Sequence, residues 1–218
     1  MRMPAVALEL EYLNDDQVQP GDILLKYGDG SKLSGLISWG QKFFQSKSTK
    51  NGQTSIVHAG IMLNGEQIIE SQGDGVTINN LRQENLNYDY EVYRCKIQRI
   101  ADMAGAVAGM ILSEHLSSKT AKYSIPGAAM SLFGRPPAAT NGVVNATVNQ
   151  LAAGKGQKFF CSQFVVLCFQ YAAAQQGLSA QTIFPLDNSG YSPNKLKEEL
   201  FQSTHFFKAG MLRKGIRN

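Results

Sequence analysis

The stretch Gly154-Lys155-Gly156-Gln157-Lys158-Phe159-Phe160-Cys161-Ser162-Gln163-Phe164-Val165-Val166-Leu167-Cys168-Phe169-Gln170-Tyr171 decides how this chain is read. Its glycine-rich opening interrupts regular structure. The nearly unbroken apolar run that follows, Phe159 to Tyr171, predicts a buried helix beginning near Cys161. A thiol in the first turn of a helix sits at the positive end of the helix dipole, among N–H groups without intrahelical acceptors. Both effects favour the thiolate and lower its pKa below the ordinary value of about 8.5. The same N–H groups suit a developing oxyanion. The competing reading is a core thiol, because cysteine is among the most buried residue types. Cys168, deep among Val165, Val166, Leu167 and Phe169, reads as structural, as does Cys95 on its strand.

Composition bounds the function. The chain has 218 residues, a net charge of +4, 43% hydrophobic and 17% charged residues. These values suit a soluble globular protein of one domain, with an irregular insertion at about 125–157 rich in Pro, Ala, Gly, Asn and Thr. That segment reads equally well as a lid and as a tolerated surface insertion. Arg213, Lys214 and Arg217 form a weak basic tail that reads as solvated, and no aromatic–basic interleaving points to nucleic acid. Three cysteines make an odd number, which argues against a disulfide framework. Two helical turns would hold Cys161 and Cys168 about 10 Å apart, too far to bridge. No zinc-ligand spacing occurs, so neither metal nor other cofactor is expected. Met1 to Leu13 carries Glu9 and Glu11 where a signal peptide needs an apolar core, and Met103 to Leu112 is too short to span a bilayer. The expectation is therefore no signal peptide and no transmembrane segment.

Outside the cysteine helix, Ile23-Leu24-Leu25 reads as a strand after the Pro20-Gly21-Asp22 turn. Residues 33–44 read as a short amphipathic helix and 47–53 as a loop. Ser55 to Leu63 reads as a strand buried on both faces. Asn64-Gly65 turns the chain into a return strand, Glu66 to Ser71, and Gly73-Asp74-Gly75 turns it again before Val76-Thr77-Ile78. Tyr90 to Ile97 is a further strand, and Ala101 to Leu116 a helix of small residues. Ser192-Pro193 starts a helix over 194–201, and a last strand is expected around Phe206-Phe207. Local strand pairing followed by helices predicts an α+β fold.

A thiolate needs a base. Of three histidines, His115 reads as an exposed helix end and His205 lies near the terminus; His58 sits inside Ile56-Val57-His58-Ala59-Gly60-Ile61. Alone it would be a satisfied core histidine; with a helix-start cysteine it becomes a general base. Glu70, a carboxylate in the apolar strand Ile68-Ile69-Glu70, requires a partner. A two-residue Asn64-Gly65 loop would set His58 opposite Ser71. A three-residue Leu63-Asn64-Gly65 loop would set it opposite Glu70. Gln72 is the other candidate to orient the imidazole.

Gly21-Asp22-Ile23-Leu24, His58-Ala59-Gly60-Ile61, Ile69-Glu70-Ser71 with Gly75-Val76, Phe160-Cys161-Ser162-Gln163-Phe164-Val165 and Ser192-Pro193-Asn194-Lys195-Leu196 together resemble the circularly permuted branch of the NlpC-like papain-fold cysteine hydrolases. Histidine precedes cysteine, which is the permuted order, and the likeness covers about residues 18–97 and 157–201. The resemblance implies a papain-like α+β fold with the nucleophile at a helix N-terminus on a small antiparallel sheet. It implies Cys161 as nucleophile, His58 as base and Glu70 as the polar third member. It also implies a cysteine peptidase or amidase acting on the peptide part of bacterial peptidoglycan. Without a signal peptide, such an enzyme is expected to be made in the bacterial cytoplasm. Dedicated secretion machinery would carry it to a target-cell periplasm as an antibacterial effector toxin, with a cognate inhibitor in the producer. The alternatives are a lipid-directed thiol acyl hydrolase or acyltransferase, and a non-catalytic binding module.

Overall fold

A computed structural model describes residues 12–28, 56–72, 75–118, 121–123, 137–153, 155 and 157–215. The expected helix over 33–44, the loop at 47–53 and Arg217 lie outside the described residues. The fold is α+β. Six antiparallel strands form one sheet: β1 (Ile23–Tyr27), β2 (Ile56–Met62), β3 (Gln67–Gln72), β4 (Gly75–Asn80), β5 (Tyr90–Cys95) and β8 (Phe206–Leu212), in the order β4-β3-β2-β1-β5-β8. A separate parallel pair joins β6 (Ala121–Tyr123) to β7 (Gln157–Phe159).

The strands alternate as a pleat demands, but both of their faces are apolar. Ile23, Leu25, Ala59, Ile61 and Ile69 pack in one cluster with the helices α1 (Gln98–Ser118), α2 (Asn141–Ala152) and α3 (Cys161–Gln175). Leu24, Met62 and Ile68 point the other way, into a second cluster with Val18, Leu81, Tyr90, Val92 and Leu212. Burial on two sides is why Ile23 to Leu25 and Ile56 to Met62 read as continuous apolar runs.

The small residues of α1 let it lie close to the start of β1. Gly21 has φ +80, and a Cβ there would stand 2.3 Å from the Ala101 carbonyl oxygen, so only glycine fits. Beside it the buried Asp22 accepts two hydrogen bonds from Arg94, at 2.8 and 2.7 Å, and one from the Gln19 N–H. After the short α4 (Ala180–Ile183), the chain enters α5 (Pro193–Gln202). Ser192 Oγ caps α5 by accepting the Lys195 N–H at 3.2 Å, and Asn194 Oδ1 accepts the N–H of Ile56, where β2 begins.

Two sequence expectations change. Residues 141–152 are not irregular: they form a regular helix capped by Thr140, with Val144, Val148 and Leu151 buried. Those three recur at helical spacing, a pattern obscured by the surrounding Asn, Gly, Thr and Ala, whose weak propensity packing overrides. His115 is not an exposed helix end but is buried at 3% relative exposure. Charged Glu114 beside it suggested solvent; the helical period of about 100° per residue instead turns His115 inward.

Candidate functional site

The site is built on the β2–β3 hairpin, whose register matches neither expected alternative. Gly60 faces Glu70, Ile61 faces Ile69 and Met62 faces Ile68. The Leu63 N–H donates to the Gln67 carbonyl, leaving Asn64-Gly65-Glu66 as the loop. The cause is Asn64: its Oδ1 accepts the N–H groups of Glu66 and Gln67 at 3.0 and 2.9 Å, and its Nδ2 donates to Gln67 Oε1. This side-chain turn draws Glu66 into the loop and displaces the simpler Asn-Gly turn. The ladder therefore lies two residues from the three-residue-loop expectation. A slip of two preserves the face of every side chain. His58 and Glu70 consequently share a face, as diagonal rather than direct neighbours.

Glycine bridges the diagonal. A Cβ on Gly60 would stand 2.8 Å from Glu70 Cγ and 2.6 Å from Ile68 Cδ1. Its absence lets Glu70 lean across β2, where Glu70 Oε1 comes within 3.2 Å of His58 Nε2. On the other side of His58 the β1–β2 ladder shifts: Lys26 faces His58 and Tyr27 faces Ile56, leaving Val57 as an extra residue. Such bulges re-aim the adjacent side chain and recur beside active sites.

Glu70 is buried at 1% exposure and His58 retains 13%. The other carboxylate oxygen, Oε2, accepts hydrogen bonds from Asn79 Nδ2 at 2.7 Å and Asn85 Nδ2 at 3.1 Å. Gln72 does not take the orienting place; its Nε2 donates to Thr77 Oγ1 at 3.1 Å. Lys26 Nζ lies 3.2 Å from the Tyr88 ring centroid, and its charge also favours the ionised form of Glu70.

Cys161 is the first residue of α3 and 2% exposed. Phe160 at the N-cap has no side-chain acceptor to fold onto the first turn; the side-chain contact at this end is Gln163 Oε1, which reaches back to accept the Phe160 N–H at 3.4 Å. The first intrahelical bond is Phe164 N–H to Phe160 O, at 3.1 Å. Ser162 Oγ donates to Tyr191 O at 2.6 Å, and Ser71 Oγ donates to Phe159 O at 3.4 Å. The Ser71 bond ties the strand of Glu70 to the residues that lead into Cys161.

Three groups share their charge here. Burial acts most strongly on His58 and disfavours its cation. The charges of Cys161 and Glu70, close to the ring, outweigh it and lift His58 from 6.5 to about 10. Burial also acts most strongly on Glu70, raising it. The charge of His58, its hydrogen bond, that of Asn79 and the charge of Lys26 reverse the sign and bring Glu70 from 4.5 down to about 2. The structure thus brings His58 into contact with Glu70 and into electrostatic interaction with Cys161. Burial raises the thiols of both Cys95 and Cys168, the latter strongly.

Asn79, Asn85 and Lys26 escaped the sequence reading. Asn79 was within reach of it. The β3–β4 register sets Gln72 opposite Gly75 and Ile68 opposite Asn79, which puts Asn79 on the face and diagonal of Glu70. Asn85 lies in a loop after β4 and leaves no periodic signal. Among the described residues no group of three or more His, Cys, Asp or Glu could hold a metal ion, and no helix is long and apolar enough to cross a membrane. No protein-family model and no curated protein matches the chain.

Proposed function

We propose that this protein is a cysteine hydrolase of permuted papain-like, NlpC-like type that cleaves an amide bond, with the peptide part of bacterial peptidoglycan as substrate. The observation that carries the reading is the coupling of one imidazole to two acidic partners, the helix-start thiol Cys161 and the buried carboxylate Glu70.

The chemistry follows from that arrangement. Glu70 engages Nε2 of His58, which leaves Nδ1 for the thiol. The proton of Cys161 passes to the imidazole, and Glu70 steadies the resulting cation. The thiolate attacks the substrate carbonyl carbon and its electron pair moves to oxygen. First-turn N–H groups of α3, left without intrahelical acceptors, stabilise that oxyanion. His58 then returns its proton to the leaving amine as the C–N bond breaks. Water, deprotonated by His58, hydrolyses the thioester and restores the thiol.

The lipid-directed reading would turn residues 101–112 and 125–132 to a bilayer; the second stretch lies outside the described residues. In the first, Ala101, Ala104, Val107, Ala108, Ile111 and Leu112 are buried against the sheet and α3, which speaks against lipid contact there. Purified muropeptides incubated with the protein and with Cys161→Ala, then analysed by mass spectrometry, test the proposal. Cleavage by the first alone supports it; equal products from both, or none from either, reject it. Export into a rival's periplasm is the matching biological role. Expression behind a periplasmic signal should lyse cells that tolerate the same protein in the cytoplasm, and harmlessness in both compartments would reject that role.

A further inference from the structure

Glu70 presents an unresolved choice for a proton. A buried carboxylate facing a part-buried imidazole has two ways to exist, as an ion pair or as a neutral pair with the proton on the acid. Distance alone does not decide between them. The partners of the far oxygen do, because a carboxamide nitrogen only donates. Asn79 Nδ2 and Asn85 Nδ2 both aim at Oε2, at 2.7 and 3.1 Å, and reach it from β4 and from the loop after β4. An oxygen that accepts two N–H bonds is a poor place for a proton, and a carboxylate so held is stabilised in its charged form.

We propose that Asn79 and Asn85 are positioning residues that clamp Oε2 of Glu70, present Oε1 to His58 and keep the shared proton on the imidazole. The proposal rests on the hydrolase reading for its purpose but not for its physics. The groups facing Glu70 are His58 from β2, Lys26 from β1, Thr77 directly opposite on β4, and the two asparagines; Cys161 reaches it through His58. Both asparagines donate to Oε2. Lys26 adds positive charge from a position shared with the Tyr88 ring. Gly60 completes the clamp from the other side by leaving room for the Glu70 side chain to cross.

The test is the titration of His58 itself, followed by its ring carbon NMR signals in the intact protein and in Asn79→Ala, Asn85→Ala and the double variant. Thr77→Val perturbs the same strand without removing a donor to Glu70 and serves as the structural control. The clamp requires a downward shift of about one pH unit or more in each alanine variant, larger in the double. It also requires slower alkylation of Cys161 at neutral pH, with Thr77→Val unmoved in both readouts. An unshifted His58 in the folded single variants, or an equal shift in Thr77→Val, overturns it. Should Asn85→Ala fail to fold, Asn79→Ala alone decides by the same criterion, since Asn79 is only partly buried. A shifted titration in a protein that cleaves no muropeptide would uphold the clamp and reject the hydrolase. Cleavage with an unmoved titration would do the reverse.

Discussion

Helices α3 and α5 begin in opposite ways. At α5, Ser192 folds its hydroxyl onto the Lys195 N–H, Pro193 occupies the first helical position, and the helix end is closed by its own sequence. At α3 the cap is Phe160, whose ring has no acceptor to offer, and the first helical residue is Cys161. An unfilled N-terminus costs stability, typically about 1 kcal/mol per missing cap. A chain able to cap α2, α4 and α5 with Thr140, Ser179 and Ser192 omits the cap where a thiol stands. The difference teaches that the start of α5 is closed by its own side chains, whereas the start of α3 leaves first-turn N–H groups open, as the proposed chemistry requires.

The sharpest way to break the contrast is Cys161→Ala. Turnover should fall by about four orders of magnitude or more, while thermal unfolding followed by circular dichroism stays cooperative. Residual activity near the parent level would show that the open end of α3 has no chemical use. Gly60→Ala leaves both helix starts intact and drives a methyl group into Glu70. Overpacking of this kind costs about 1–3 kcal/mol in denaturant titrations. Loss of imidazole orientation should lower kcat/KM by about tenfold to a hundredfold. A folded Gly60→Ala variant of full activity would remove Glu70 from the mechanism.

Proton linkage gives a subtler test. The folded pKa of His58 is raised, so its contribution to stability is complete below about 6.5 and disappears as pH rises through about 10. That of Glu70 is lowered, so its contribution is complete above about 4.5 and disappears as pH falls through about 2. The stability difference between the parent and a His58→Gln, Glu70→Gln double variant should therefore be greatest from pH 4.5 to 6.5 and shrink on either side. Chemical denaturation across pH measures it, and a difference that grows toward pH 10 would contradict the assigned charges. The same deprotonation of His58 predicts an alkaline decline of activity near pH 10. The smallest effect belongs to Ser192→Ala: about 1 kcal/mol lost in unfolding free energy, with turnover unchanged. A large activity loss there would mean that the two helix starts are not independent.

Much of this contrast was legible in the residues. Ser192-Pro193 announced a closed helix start, and the Gly154–Gly156 break followed by Phe159 to Tyr171 announced α3. The common face of His58 and Glu70 was legible only as one of two alternatives, because it depends on whether the loop holds an odd or an even number of residues. The register itself was not, since Asn64 can turn the chain with its backbone or its side chain, and the choice of side chain shifted the pairing. Nor was α2, whose buried Val144, Val148 and Leu151 sit in a run of weak helix formers. Asn85 stayed hidden for a different reason: its role depends on where a loop lands in space, and a single sequence carries no period for that.

The Ser71–Phe159 bond joins residues 88 positions apart. Its span has a consequence for how the molecule comes into being. A nascent chain presents the imidazole and carboxylate early, and waits for roughly a hundred further residues before the thiol leaves the ribosome. Closing so long a loop is entropically demanding and slow compared with forming the hairpin. The meeting of His58 and Glu70 with Cys161 is therefore a late event, and a chain that stops before residue 161 lacks the proposed nucleophile. Under the proposed amide hydrolysis, birth order is itself a safeguard.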